Sequence, residues 1–168
     1  YPAFAGSLKG MAAYFDWQHA HADECLVEDP ETGQPMSASL IVPKSAEDLQ
    51  RRHRAFNCFA RYSNGMLGRT PDYVNVTLAG FVARSDIFNA KGDTTHSDRL
   101  KRFYREVVEK DLSLTHTIIH PVVDKGLPDT EGVNGEIALR VVRRTQTSII
   151  VRGAKILAEL LSAYCNSG

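Results

Sequence analysis

Arg69 and Tyr73 stand four residues apart at what the sequence marks as the start of a helix. Thr70 suits the N-cap, Pro71 the first helical position, and Asp72 places a favourable negative charge in the first turn. With Arg69 just outside the cap and Tyr73 in the first turn, both side chains can reach the same space. The free N–H groups and dipole of a helix N-terminus favour an anion there, such as a phenolate. A guanidinium, a tyrosine hydroxyl and a positive helix end together suit the oxygen of a phenol. A surface arginine beside a core tyrosine is the plainer arrangement, and spacing alone favours it.

The histidines offer less. His116 and His120 are four apart, which on a helix would suit a metal pair. The surrounding Thr, Ile and Val and the following Pro121 argue against a helix, so no metal site is expected. His116 by itself reads as a satisfied core histidine, although an imidazole titrating near neutral pH also suits proton transfer. His19 and His21 flank Ala20 near a helix end and read as surface residues. Cys25, Cys58 and Cys165 are odd in number and widely spaced, which reads as reduced thiols in a cytoplasmic protein, with Cys58 in the core. No GxGxxG, GxxxxGK[ST], GxSxG or HExxH occurs, so a nucleotide cofactor would need another scaffold.

The composition narrows the partners. Twenty basic residues balance twenty acidic ones, which gives no electrostatic reason to expect nucleic acid or an anionic membrane. The run Arg51-Arg52-His53-Arg54 lies in a helical pattern and reads as a solvated face. No stretch approaches the roughly 20 apolar residues of a membrane helix. Tyr1-Pro2-Ala3-Phe4 has no basic n-region of a secretion signal, and with no Met at position 1 a start further upstream is expected.

Certain elements must position these groups. Leu8, Met11, Ala12 and Phe15 predict a helix over residues 7–21 with those side chains inward. Turn signals break up residues 27–44, and Ser39-Leu40-Ile41-Val42 reads as extended before Pro43. Ser45 with Asp48 predicts a capped helix carrying Leu49, His53, Phe56, Phe59, Ala60 and Tyr62, stopped by Asn64-Gly65. A second helix runs from Thr70 towards Phe88, and a third from Ser97-Asp98 to about Asp111. Residues 113–125 favour extended structure. Ile137–Arg143 and Ser148–Arg152 read as two strands joined by Thr145-Gln146-Thr147. The expected fold is α+β: an N-terminal helical domain, residues 1–111, followed by the start of an antiparallel β domain, residues 112–168. A sheet of two or three strands cannot bury both faces, so the chain is expected to be truncated at its C-terminus.

Several segments resemble one family. Gly65-Met66-Leu67-Gly68-Arg69-Thr70-Pro71-Asp72-Tyr73 is similar to the GRTPDY segment of 4-hydroxyphenylacetate 3-monooxygenase oxygenase components. Residues 114–125, from Leu114 to Lys125, resemble their H-x-x-x-N-P-x-x-D-R segment, and Ile149–Ala158 their GIVVRGAKxxAT strand. Asp29-Pro30-Glu31-Thr32-Gly33 and Val42-Pro43-Lys44-Ser45 also fit. The resemblance reaches to about Ala158.

It implies an acyl-CoA-dehydrogenase-like architecture with a helical domain, a middle β domain and a C-terminal helical bundle. It implies FAD, used as FADH2 delivered by a separate NAD(P)H-dependent flavin reductase, and molecular oxygen as cosubstrate. A flavin C4a-hydroperoxide would hydroxylate a phenol next to its hydroxyl group, in a homo-oligomer that is a tetramer in the complete enzyme. The phenol oxygen would be held by Arg69, Tyr73 and His116, and the flavin bordered by His116, Thr117, Ile119, Val122, Asp124 and Lys125. Lys125 replaces an arginine and loses its planar fork. His120 replaces an asparagine, and Glu159 a threonine that touches the flavin. After Ala158 the tail no longer resembles the family, and the bundle is absent.

Two other readings stand beside this one. The chain could be a non-catalytic truncated piece whose exposed sheet edge favours association. A dehydratase branch of the same superfamily carries an iron–sulfur cluster, but no cysteine lies near Arg69 or His116 in sequence. The anchor residues suit 4-hydroxyphenylacetate, a chlorophenol, phenol or a tyrosine-derived intermediate equally.

Overall fold

In the computed structural model the backbone is described for residues 2–65, 72–114, 116, 117, 119, 121, 126 and 137–156. At residues 2–4, 7, 8, 11 and 72 the backbone alone is described. The chain divides into two compact units, Tyr1–Thr115 and His116–Gly168. Mixed helix and small antiparallel sheets make up the described residues, an α+β fold.

Helix α1 (Pro2–Ala20) packs on α3 (Ala46–Ser63) through aromatic side chains. Tyr14 lies 4.6 Å from Phe59, centroid to centroid, and Trp17 Nε1 donates to Cys58 Sγ at 3.3 Å. The inward positions are thus Tyr14, Trp17 and Gln18, an i, i+3, i+4 set. This corrects the stripe expected from sequence: Ala12 and Phe15 point outward, and Phe15 sits against His19 instead. Leu8 and Met11 fall outside the described side chains.

Short helix α2 (Ala22–Cys25) leads into a hairpin of β1 (Leu26–Glu28) and β2 (Pro35–Ser37). The strands are antiparallel with Val27 opposite Met36. Asp29 organises the turn between them. Its carboxylate accepts from Thr32 Oγ1 (2.6 Å) and from the Glu31 amide (3.3 Å), while Gly33 takes a positive φ of 71° to close the turn.

Residues 36–41 then pass through the centre of the helical unit, and every one of them is buried. Ser39–Val42 is not the extended run expected from sequence. Ala38–Leu40 forms a 3-10 turn instead, capped by Ser37 Oγ, which accepts from the Ser39 amide. The turn persists because distant side chains satisfy its carbonyls: Tyr104 donates to the Leu40 oxygen at 2.8 Å, and Arg52 to the Ile41 oxygen.

Helix α3 begins with the capping box read from sequence. Ser45 Oγ accepts from the Asp48 amide, and Asp48 Oδ2 from the Ser45 amide, each at 3.1 Å. Its inward side chains are Ala55, Cys58 and Phe59, whereas Leu49 is 53% exposed one turn from the open N-terminal end. Asn64 and Gly65 end the helix with positive φ. Helix α4 (Asp72–Ala83) stops short of Phe88, the remainder being a 3-10 turn at Ser85–Phe88. Helix α5 (Thr95–Glu109) buries Ser97, Tyr104, Val107 and Val108.

The second unit contains β3 (Arg140–Arg144) and β4 (Ile149–Arg152), antiparallel with a register shift between Val141 and Arg143. Thr145 builds the connection: its amide donates to the Ser148 oxygen (2.8 Å) and its hydroxyl accepts from the Ser148 amide (2.9 Å). Gly153 closes the base of the hairpin at φ 121°, where a Cβ would lie 2.3 Å from the Ala138 carbonyl oxygen. Gly153→Ala is therefore expected to cost about 3 kcal/mol of local stability. Amide exchange should show it as lost protection of the Leu139 and Ala154 amides, which bond across this base.

Candidate functional site

Helix α4 has two faces with different work. Asn75, Leu78 and Ala79 form its buried face, again an i, i+3, i+4 set. Tyr73, Thr77 and Gly80 lie on the other side, and Tyr73 is 40% exposed. At 100° per residue, Tyr73 and Asn75 stand about 200° apart around the axis. Val74, Val76 and Thr77 are β-branched and poor helix formers, so this helix depends on packing against the central 3-10 turn and α5. Tyr73 is thus neither a core tyrosine nor on the face that holds the helix in place. It is an amphipathic side chain displayed in the first turn.

The buried face is anchored by polar contacts. Asn75 Nδ2 donates to Ser39 Oγ at 3.0 Å, and Ser39 Oγ lies 2.7 Å from Ser37 Oγ. All three residues are buried. Sequence reading missed this set. The available signal was a polar residue at the inward position of an otherwise apolar i, i+3, i+4 triplet.

Electrostatics elsewhere in this unit centre on Asp29, which is only 2% exposed. Arg105 on α5 grips it with both terminal nitrogens, at 3.0 and 2.8 Å. Hydrogen bonds from Arg105 hold the Asp29 carboxyl far below the usual carboxylate range, despite burial acting the other way. Arg105 also reaches Glu31 at 3.2 Å and Glu109 at 3.7 Å. The bond to Asp29 raises its already high pKa further. Burial likewise pushes the Tyr104 phenol up, keeping it protonated as the donor to Leu40.

The remaining site residues expected from sequence belong to the second unit. His116 is half-buried, Thr117 is exposed, and Ile119 is 41% exposed. The Ile119 backbone is taken by Ile156 through two hydrogen bonds, at 3.4 and 2.8 Å, which leaves its side chain facing outward. Arg69, Val122, Asp124 and Lys125 lie outside the described residues, as do Thr70, Pro71, His120, Glu159 and Cys165. Cys25 and Cys58 are buried in the core, and His21, expected at the surface, is half-buried and stacks on Trp17. Among the described residues no group of three or more His, Cys, Asp or Glu side chains could hold a metal ion. No described helix is long and apolar enough to cross a membrane.

A helical unit followed by a small antiparallel sheet has a known counterpart. The chain belongs to the 4-hydroxyphenylacetate 3-hydroxylase N-terminal family, whose model matches residues 1–164. It is 35% identical over 158 residues to the 4-hydroxyphenylacetate 3-monooxygenase oxygenase component of Geobacillus sp. (strain PA-9), which covers 94% of this chain and 32% of that protein. The corresponding component of Thermus thermophilus is 32% identical over the same shares. A crystal structure of a 4-hydroxyphenylacetate 3-monooxygenase oxygenase component, complexed with FAD and 4-hydroxyphenylacetate, superposes with a TM-score of 0.79 at 32% identity. It covers 93% of this chain and 32% of that one. The chain therefore spans about a third of the length of the relatives it matches.

Proposed function

We propose that this chain supplies the phenol-holding part of the oxygenase component of a two-component monooxygenase, one that uses reduced FAD and molecular oxygen to hydroxylate a phenol beside its hydroxyl group. The observation that carries the reading is the likeness, over nearly the whole chain, to a structure holding both FAD and a phenolic acid. A separate NAD(P)H-dependent reductase supplies the FADH2, and the working assembly is a homo-oligomer.

Arg69, Tyr73 and His116 hold the phenol oxygen. The guanidinium supplies positive charge, and the Tyr73 hydroxyl and His116 imidazole supply hydrogen bonds. Together they favour phenolate character, which makes the neighbouring ring carbon more nucleophilic. His116 can also take up or return the phenol proton. The display of Tyr73 away from the packed face of α4 supports this role, because a substrate can reach it there.

His116, Thr117, Ile119, Val122, Asp124 and Lys125 border the flavin. The described members of the set fit that group: His116 brings a ring nitrogen, with Nε2 out of solvent, Thr117 a hydroxyl and Ile119 an outward aliphatic surface. When bound, reduced flavin supplies the activation of oxygen. The chain's residues orient the phenol.

A panel of simple phenols, with FAD, NADH and a flavin reductase, tests the reading on this chain as it stands, with catechol and H2O2 both followed. Catechol formation would establish the activity. Absence of both catechol and FADH2 binding would favour the second reading, a piece that is not catalytic by itself.

A further inference from the structure

We infer that Asn75 is a positioning residue for Tyr73: the buried chain Asn75–Ser39–Ser37 fixes the rotation of α4, and so the place where the Tyr73 hydroxyl meets a phenol. The last clause rests on the function proposed above; the fixing of α4 does not.

Asn75 is 7% exposed and shares its face of α4 with Leu78 and Ala79. A polar side chain at such a position is costly unless it is bonded. Its amide is only half satisfied. Nδ2 donates to Ser39 Oγ at 3.0 Å, whereas Oδ1 is buried with no hydrogen-bond partner among the described residues. For stability alone, a leucine of similar volume would serve at least as well, because it leaves no buried acceptor orphaned. What the amide adds is direction. A hydrogen bond is met at one distance and one angle, while apolar packing tolerates a range of helix rotations.

Ser39 is a firm reference point. Ser37 Oγ lies 2.7 Å from its hydroxyl and also accepts from its amide. The next two carbonyls are held by other helices: Tyr104 of α5 bonds the Leu40 oxygen at 2.8 Å, and Arg52 of α3 bonds the Ile41 oxygen. The bond from Asn75 therefore ties α4 to a strap already gripped by α3 and α5. Tyr73 projects about 200° around the same helix. A turn of roughly 10° moves an atom ~6 Å from the axis by about 1 Å. A misplacement of that size in a reacting site can cost ~100-fold in rate.

The test labels the chain with 3-fluorotyrosine and follows it by 19F NMR. The Tyr73 resonance is identified by its loss in Tyr73→Phe. Two variants are compared, Asn75→Leu and Ser39→Ala, together with the double variant. The expected result is that both single variants shift the Tyr73 resonance while the Tyr14 and Tyr104 resonances of the core stay in place. The double variant should shift it no further, and Asn75→Leu should melt at or above the parent temperature. In any assay where the chain hydroxylates, Asn75→Leu should lower kcat about 10- to 100-fold. An unmoved Tyr73 resonance in a folded variant overturns the proposal, whatever happens to activity. Displacement of the core tyrosines together with a large fall in melting temperature in both single variants overturns it too, because the role is then simply structural. A shifted Tyr73 in a chain with no hydroxylation upholds the positioning role and counts against the oxygenase reading instead. Should Asn75→Leu fail to fold, Ser39→Ala decides the matter alone.

Discussion

Arg69→Ala, Tyr73→Phe and His116→Ala are each expected to lower hydroxylation by about one to three orders of magnitude in the hydroxylating enzyme, which is the usual cost of removing one preorganised donor. The proposed role explains the size. A phenol attacks an electrophilic oxygen well only as its ring gains phenolate character, and in the proposed role each of the three groups would stabilise the charge on the phenol oxygen. Flavin reduction by the separate reductase does not depend on these contacts, so reducing equivalents should continue to be consumed. The oxygen activated without a well-placed phenol should then appear as H2O2. Tyr73→Phe is the cleanest of the three, since it deletes one hydroxyl and keeps the ring. Its ring stays on the outward face of α4, away from the packing of Leu78 and Ala79, so stability should hardly change. Catechol and H2O2 yields measured per NADH are the readout. Parent-level coupling in all three variants would count against the assignment.

Asp29→Asn should lower the stability of the helical unit strongly. Asp29 is 2% exposed and bonded through both oxygens to Arg105, which is itself 19% exposed. Removing one partner of a buried pair typically costs about 3 to 5 kcal/mol. The low end, about 3 kcal/mol, is expected because Arg105 keeps Glu31 and Glu109. For a chain of this size that lowers the melting temperature by about 10 °C. The pH dependence follows from the direction of the shift. The folded carboxyl titrates below its unfolded value of about 3.9, so the folded state binds the proton more weakly. Its contribution is complete above that unfolded value and declines as the pH falls towards the folded one. Melting curves of parent and variant should therefore stand well apart at neutral pH and converge below about pH 4. Curves that run parallel across this range would remove the ion pair from the account.

The elements that were legible in the sequence are those whose determinants are local. The cap of α3 uses Ser45 and Asp48, three residues apart, and both bonds form as read. The β3–β4 hairpin follows from β-branched residues on either side of a short polar connection, with Thr145 closing the turn. The later hairpin after the long helices was legible for the same reason, whereas the short β1–β2 hairpin between α2 and α3 was not. The family was legible too, because segments such as Gly68–Tyr73 are read residue by residue.

Misreadings occurred where a partner is distant. Ser39–Val42 looks extended by its neighbours, yet Tyr104, 64 residues on, and Arg52 satisfy its carbonyls and allow a 3-10 turn. The inward stripe of α1 was assigned to Phe15 instead of Tyr14, because hydropathy does not reveal which face meets Phe59. Asp29 read as part of a turn signal and of a family-like segment, and nothing near it announces Arg105, 76 positions away.

The sequence by itself determined the fold class, the family and the spacing of Arg69 and Tyr73 at a helix start, since each is written in residues close together along the chain. The tertiary structure alone decided which face of α4 is buried, that Tyr73 is displayed, and that Asn75 holds the helix through Ser39. Those outcomes depend on packing between separate elements and on hydrogen bonds between residues 36 and 64 positions apart, where chain order carries no information about proximity.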